Sequence, residues 1–189
     1  ILSEKSLSKR IWKMERLIEI GHLLFEMKNY HDGSAVILAF DSPDINRLKV
    51  HMKLLSQSSQ DYLSQLIPAY SPSNNFAQLR SLQQKALNSG KPVIPLLPIL
   101  LKDIFLYTTS TQAFIDGLIN IKRCKGVCKC IKDLEVFMRE KFCFLPIDQV
   151  QTKLEEFQEY DIELLSEMSY DIEPENAETQ ADLKDIKNE

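Results

Sequence analysis

Apolar residues recur at intervals of three and four along most of this chain. Leu17, Ile20, Leu24 and Met27 form one such row, with Arg16, Glu19, Glu26 and Lys28 on other faces. That spacing predicts an amphipathic helix through Lys28 that ends near Asn29. Asp32 then precedes the apolar run Gly33 to Ala39 as its cap, and Ser42-Pro43 offers a cap and a first-turn proline to the next helix. A helix through Tyr62 to Ile67 stops at Pro68. The Ser71-Pro72-Ser73-Asn74 loop caps another from Phe76 to Leu87, and Asn88-Ser89-Gly90 ends it. Val127, Ile131, Leu134 and Met138 keep the rhythm among Lys125, Lys129, Lys132 and Arg139. Pro146 opens a helix from Ile147 to Phe157, and Ile162 to Tyr170 forms the last. No stretch sustains the alternation of a strand and no period repeats, so the pattern predicts one all-α domain.

Composition supports a folded helical protein: 189 residues, 44% apolar, 26% charged and only five glycines. The best apolar run, Val93 to Leu101, is broken by Pro95 and Pro98 and is too short to span a bilayer, so no integral membrane segment is expected. The net charge of −4 is uneven. Glu155 to Glu189 carries 13 acidic residues against two lysines, which leaves a mildly basic body. Clustered arginines with interleaved aromatics are absent, so nucleic acid is not an expected partner. Cys124, Cys128, Cys130 and Cys143 lack zinc-site spacing and lie far in sequence from His22, His31 and His51. They read as buried or half-buried thiols of a cytoplasmic protein, with no metal. Phosphate-cradling loops and nucleophile motifs are missing as well, which removes cofactor and covalent chemistry.

The chemistry-bearing signal is an ordered set of blocks: Arg10, Arg16-Leu17-Ile18-Glu19-Ile20, Lys28-Asn29-Tyr30, Ala35-Val36-Ile37, Ile45 to Lys49, Asn75 to Arg80, Pro95 to Ile104, Leu118-Ile119-Asn120 and Glu163 to Pro174. In this order they resemble the catalytic domain of Ras-family guanine-nucleotide exchange factors, and the closing Leu164 to Pro174 is similar to that family's terminal signature. The resemblance implies an all-α, irregular helical bundle of the RasGEF catalytic type with a protruding helical hairpin. It covers about residues 10 to 174, which implies a domain over 1–174 without the family's opening helices, followed by an acidic, disordered tail over 175–189.

The implied function is promotion of GDP release from a Ras-like small GTPase of the Ras, Rap or Ral class. The Leu97 to Ile104 run leans toward the Rap-directed branch. Such a GTPase holds its nucleotide near ~10⁻¹² M, about 16 kcal/mol, and an exchange factor offsets that by preferring the nucleotide-free state. By resemblance the wedge is the hairpin from Pro98 to Gly117. Phe105 falls where the family aims a bulky residue at the GTPase's Mg²⁺ site, and Thr109 falls where the family has an acid. Asn29, Leu96 and Leu101 are the expected GTPase-binding residues. Arg123 stands in place of the family's lysine, while Arg47 and Arg80 read as structural. The neutral Thr109 and a shortened hairpin motivate the alternative of a weakly active or inactive interaction module on the same fold. Membrane recruitment, on this reading, comes from domains outside the chain.

Overall fold

The computed structural model describes residues 1–156, 159–179 and 183. The periodic rows become α1 (Leu7–Glu26), α2 (Tyr30–Ala39), α3 (Pro43–Asn46), α4 (Lys49–Leu54), α5 (Gln57–Ala69), α6 (Ser73–Leu87), α7 (Leu97–Thr109), α8 (Ile121–Phe137), α9 (Asp148–Glu155) and α10 (Ile162–Ile172). Among the described residues the strands are β1 (Phe114–Ile115) and β2 (Leu118–Ile119), paired antiparallel with Phe114 opposite Ile119. Most of the expected acidic tail, and Phe157, lie outside the described residues. Within the all-α class the chain forms two compact units that interleave in sequence. One takes Ile1–His22, Ala35–Pro68 and the chain from Cys143, and the other takes Leu23–Ser34 and Ala69–Phe142.

In the first unit Met14, Ile18, Ile37, Leu48 and Ile172 are fully buried, and three ionisable residues are buried with them: Arg10, His51 and Glu173. Charged groups enter a core only when their partners come along. The Glu173 carboxylate accepts from the backbone N–H groups of Val50 and His51, at 2.9 and 3.1 Å, in the first turn of α4. It also lies 2.6 Å from His51 Nδ1. Arg10 Nε donates to His51 Nε2 at 3.2 Å, so that nitrogen is an acceptor and the proton sits on Nδ1, facing Glu173. Burial holds the His51 imidazole below its ordinary pKa, against the pull of the neighbouring carboxylate. Arg10 is fixed in turn by the carbonyls of Glu4 and Lys5.

A second arginine completes this lock. Arg47 donates to the Ser169 carbonyl and hydroxyl and to the Glu173 carbonyl, at 2.8, 3.0 and 2.8 Å, and its guanidinium stacks 3.8 Å above the Tyr170 ring. Ser169 passes the chain of bonds on to the Asp44 carbonyl. The residues of the closing signature therefore bind α10 to α3 and α4. Glu173, in that closing signature, anchors the unit through both its carboxylate and its carbonyl.

Two local readings change. The cap of α2 is Asn29 rather than Asp32, because the helix begins at Tyr30 and its third backbone N–H, that of Asp32, points at Asn29 Oδ1 at 3.1 Å. In α6 the residues Asn74, Asn75 and Phe76 all have left-handed dihedrals, with φ of 50°, 58° and 58°. Asparagine tolerates that region, but a bulky aromatic is strained there, so the regular helix starts only at Ala77.

Candidate functional site

All five expected site residues fall in the second unit. Its base is the corner between α1 and α2. Lys28, at φ 65°, closes α1: its N–H bonds to the Phe25 carbonyl, and the Asn29 N–H bonds to the Leu24 carbonyl. This is the Schellman arrangement with lysine where glycine is usual. Asn29 then turns the chain into α2, and its side-chain amide donates back to Asp32 at 2.7 Å. Asn29 is buried, with its side chain engaged inside the chain.

The same corner holds the extended segment that leads to α7. Ile94 N–H bonds to the Lys28 carbonyl at 3.0 Å, and the Ile94 carbonyl accepts from Tyr30 N–H at 2.8 Å, which pairs Asn29 with Ile94 in a parallel bridge. Leu96, two residues on, is buried and caps α7, with Pro98 in the first turn. Phe25 packs edge-on against Tyr30 and Tyr70 beneath this corner, and burial pushes the Tyr30 hydroxyl up to about 12.

From that base α7 carries two kinds of surface. Ile99 and Leu100 are buried, while Leu101 and Phe105 are 64% and 62% exposed. Leu101, Phe105 and Thr109 stand four residues apart and so form one solvent-facing row. Thr109 is exposed, and its hydroxyl donates to the Phe105 carbonyl at 2.7 Å, satisfying a group near the helix end. Asp103 takes a bidentate pair of bonds from Arg80, 2.6 and 2.8 Å long, which ties α7 to α6. Both arginines read as structural, Arg47 and Arg80, thus serve in internal contacts.

The second arm of the hairpin is α8. The wedge expected over Pro98 to Gly117 contains only the first arm, and the chain between the arms is the β1–β2 ribbon with Asp116-Gly117 as its turn. Both turn residues have positive φ, 52° and 79°, as a tight two-residue hairpin requires. Arms meet where α8 has no side chain: a Cβ added to Gly126 would lie 2.4 Å from the Tyr107 ring. Asn120 caps α8 by accepting from Arg123 N–H at 3.2 Å, and its amide donates to the Gln112 carbonyl at 2.8 Å. Arg123 reaches the carbonyls of Tyr107 and Thr108, both at 3.3 Å, placing a cation on the C-terminal end of α7.

Gly126, Cys130 and Phe137 are the buried row of α8, whereas Ile131 and Met138 are exposed. The helix is therefore turned from the face its larger apolar residues predict, because the gap at Gly126 admits Tyr107. This overturns the expectation for the cysteines: Cys124, Cys128 and Cys143 are exposed and only Cys130 is buried. Burial, with Asp103 and Asp133 adding to it, raises the Cys130 thiol above its ordinary pKa. Among the described residues no group of histidine, cysteine and carboxylate side chains is placed to hold a metal ion.

Sequence reasoning missed the Arg10–His51–Glu173 chain, whose members are 41 and 122 residues apart along the sequence. It also missed the ribbon, for which Asp116-Gly117 was the available signal.

The family profile of the RasGEF domain matches residues 1–125. The chain is 26% identical over 178 residues to Ras guanine nucleotide exchange factor V of Dictyostelium discoideum, covering 94% of this chain and 9% of that protein. It is 26% identical over 134 residues to human Rap guanine nucleotide exchange factor 6, covering 71% of this chain and 8% of the relative. With human Rap guanine nucleotide exchange factor-like 1 it shares 25% identity over 171 residues, 87% of this chain and 25% of the relative. The chain thus spans a quarter or less of the length of these relatives.

Proposed function

The chain belongs to the RasGEF domain family, and from that premise we propose that it promotes GDP release from a Ras-like small GTPase, with the α7–α8 hairpin as the wedge. The observation that carries this reading is the exposed row Leu101, Phe105 and Thr109 on a helix whose first turn is buried through Ile99 and Leu100, which is tied to α6 through Asp103 and backed by a second helix. Exposed large apolar residues on a braced element are what a partner surface requires. Phe105 and Leu101 enter the GTPase, and Thr109 occupies the site nearest the nucleotide. Leu96 sets the angle of α7, and Asn29 acts through the bridge that holds the segment before it. The work is differential binding: the hairpin stabilises the nucleotide-free GTPase, and by reciprocity nucleotide and exchange factor expel one another. The partner class is Ras, Rap or Ral.

A second reading, a docking module that binds a GTPase without emptying it, is favoured by one observation. Thr109 is neutral and its hydroxyl is spent on the Phe105 carbonyl, so it supplies no charge to compete with phosphate. Release of fluorescent GDP from a panel of Ras, Rap and Ral proteins separates the two. Acceleration that drops at least tenfold in Phe105→Ala, with an unchanged melting midpoint, supports the first reading. Binding without release supports the second.

A further inference from the structure

The tip of the hairpin carries a surface that includes none of the residues assigned above to the GTPase contact. Phe114, Ile115, Leu118 and Ile119 make up the whole of β1 and β2, and all four are exposed, Leu118 by 73%. A two-stranded ribbon that is apolar on both faces and covered on neither leaves its side chains in water, at a cost that only a partner removes. Ile121 is likewise exposed and continues this surface onto α8.

From there α8 shows two solvent-facing rows. One is Ile121, Cys124, Cys128 and Ile131, at intervals of three, four and three, all exposed; a cysteine thiol in such a row behaves as a small apolar group. The other is Lys122, Lys125, Lys129 and Lys132, also exposed. At about 100° per residue the two rows lie roughly 100° apart; the lysine row lies about 100°, and the apolar row about 160°, from the Gly126 and Cys130 side that meets α7. Ile121 to Lys132 contains five cationic residues and no acidic one. No ion pair engages any of the four lysines among the described residues. The acidic groups nearby are Asp116 in the ribbon turn, Asp103 of α7, which lines one cleft with Lys129 and is paired with Arg80, and Asp133 and Glu135 beyond the lysine row.

An apolar tip followed by a helix with adjacent apolar and lysine rows matches one environment in both respects: hydrocarbon beneath a layer of negative headgroups. We propose that the β1–β2 ribbon and the first three turns of α8 dock on an anionic phospholipid bilayer. The ribbon side chains and Ile121 enter the interface, and the lysine row lies along the phosphates. This attachment is peripheral, since no described helix is long and apolar enough to cross a membrane. It rests on the unpartnered tip and on charge complementarity, not on exchange activity.

Flotation of the full chain with vesicles tests it without a GTPase. The chain should float with vesicles of phosphatidylcholine plus phosphatidylserine and stay behind with phosphatidylcholine alone, and added salt should release it. Replacing Lys122, Lys125, Lys129 and Lys132 together with Ala should weaken binding by roughly several hundredfold, since each surface lysine contributes about fivefold. Leu118→Asp should abolish it, while Asp116→Asn, which keeps a residue suited to the turn and removes the tip's one acid, should tighten binding roughly fivefold. Bound vesicles should also shield Cys124 and Cys128 from a water-soluble maleimide. A parent chain that stays with the soluble fraction in the presence of phosphatidylserine overturns the proposal and leaves the ribbon to a protein partner. Equal flotation of the parent and the four-lysine variant overturns it too.

Discussion

The two units treat their costly side chains in opposite ways. In the first, Arg10, Arg47, His51 and Glu173 direct donors and acceptors inward, and the groups named in the lock are answered within the chain. In the second, the hairpin turns Leu101, Phe105, Phe114 and Leu118 outward, where they stay exposed among the described residues. The apolar surface left in water is the opposite of what stability alone selects, whereas the buried charges are tolerable only because their partners are complete. A satisfied polar network marks residues that make the fold, and an exposed apolar row on a braced helix marks the candidates for a partner surface. The most distinctive motif of the sequence, Leu164 to Pro174, thus belongs to the fold.

Substitutions can break or sharpen this contrast. The largest effect is expected at Glu173→Ala, which leaves His51 and two backbone N–H groups buried without an acceptor. Urea unfolding should show a loss of about 3–5 kcal/mol, enough to threaten a domain of ordinary stability. Gly126→Val comes next: its side chain meets the Tyr107 ring, so the arms must separate at a cost of about 1–3 kcal/mol. Amide exchange should rise in α7 and α8 while α4 and α10 stay protected.

A subtler effect follows from pH. Folding holds the His51 pKa below its unfolded value, so the neutral ring's contribution is complete above about pH 6.5 and is lost as pH falls below it. Thermal melts of His51→Gln against the parent should isolate that part of the acid slope; parallel curves would mean that the imidazole carries none of it. The smallest change in stability belongs to Leu101→Ala and Phe105→Ala, within about 0.5 kcal/mol as for other exposed positions. A loss of several kcal/mol at either would place the row in the core and end the contrast.

Much of the architecture was legible because helices announce themselves by spacing. Leu17 to Met27 predicted α1 to within two residues of its end, and Ser42-Pro43 marked α3. The rest depended on contacts that no local pattern records. Asn29 and Asp32 are both good caps, and the choice followed from the turn at Lys28, a lysine doing what glycine usually does. The face of α8 was misread because Val127, Ile131, Leu134 and Met138 are large and regularly spaced, while the packing is decided by the absence of a side chain at Gly126. For the candidate site, the exposed apolar residues of α7 could not be told from core by composition, and burial separates Leu101 and Phe105 from Ile99 and Leu100.

The link between His51 and Glu173 also sets an order of events during synthesis. Those residues are 122 positions apart, so at about 5–20 residues per second the ribosome needs roughly six to twenty-five seconds to make the second after the first. Throughout that interval Arg10 and His51 have no carboxylate to complete their arrangement, and Phe142, the last residue of the hairpin unit, is added 31 residues before Glu173. The part of the molecule that reaches outward can assemble first, and the part that holds itself together waits for Glu173 to be made.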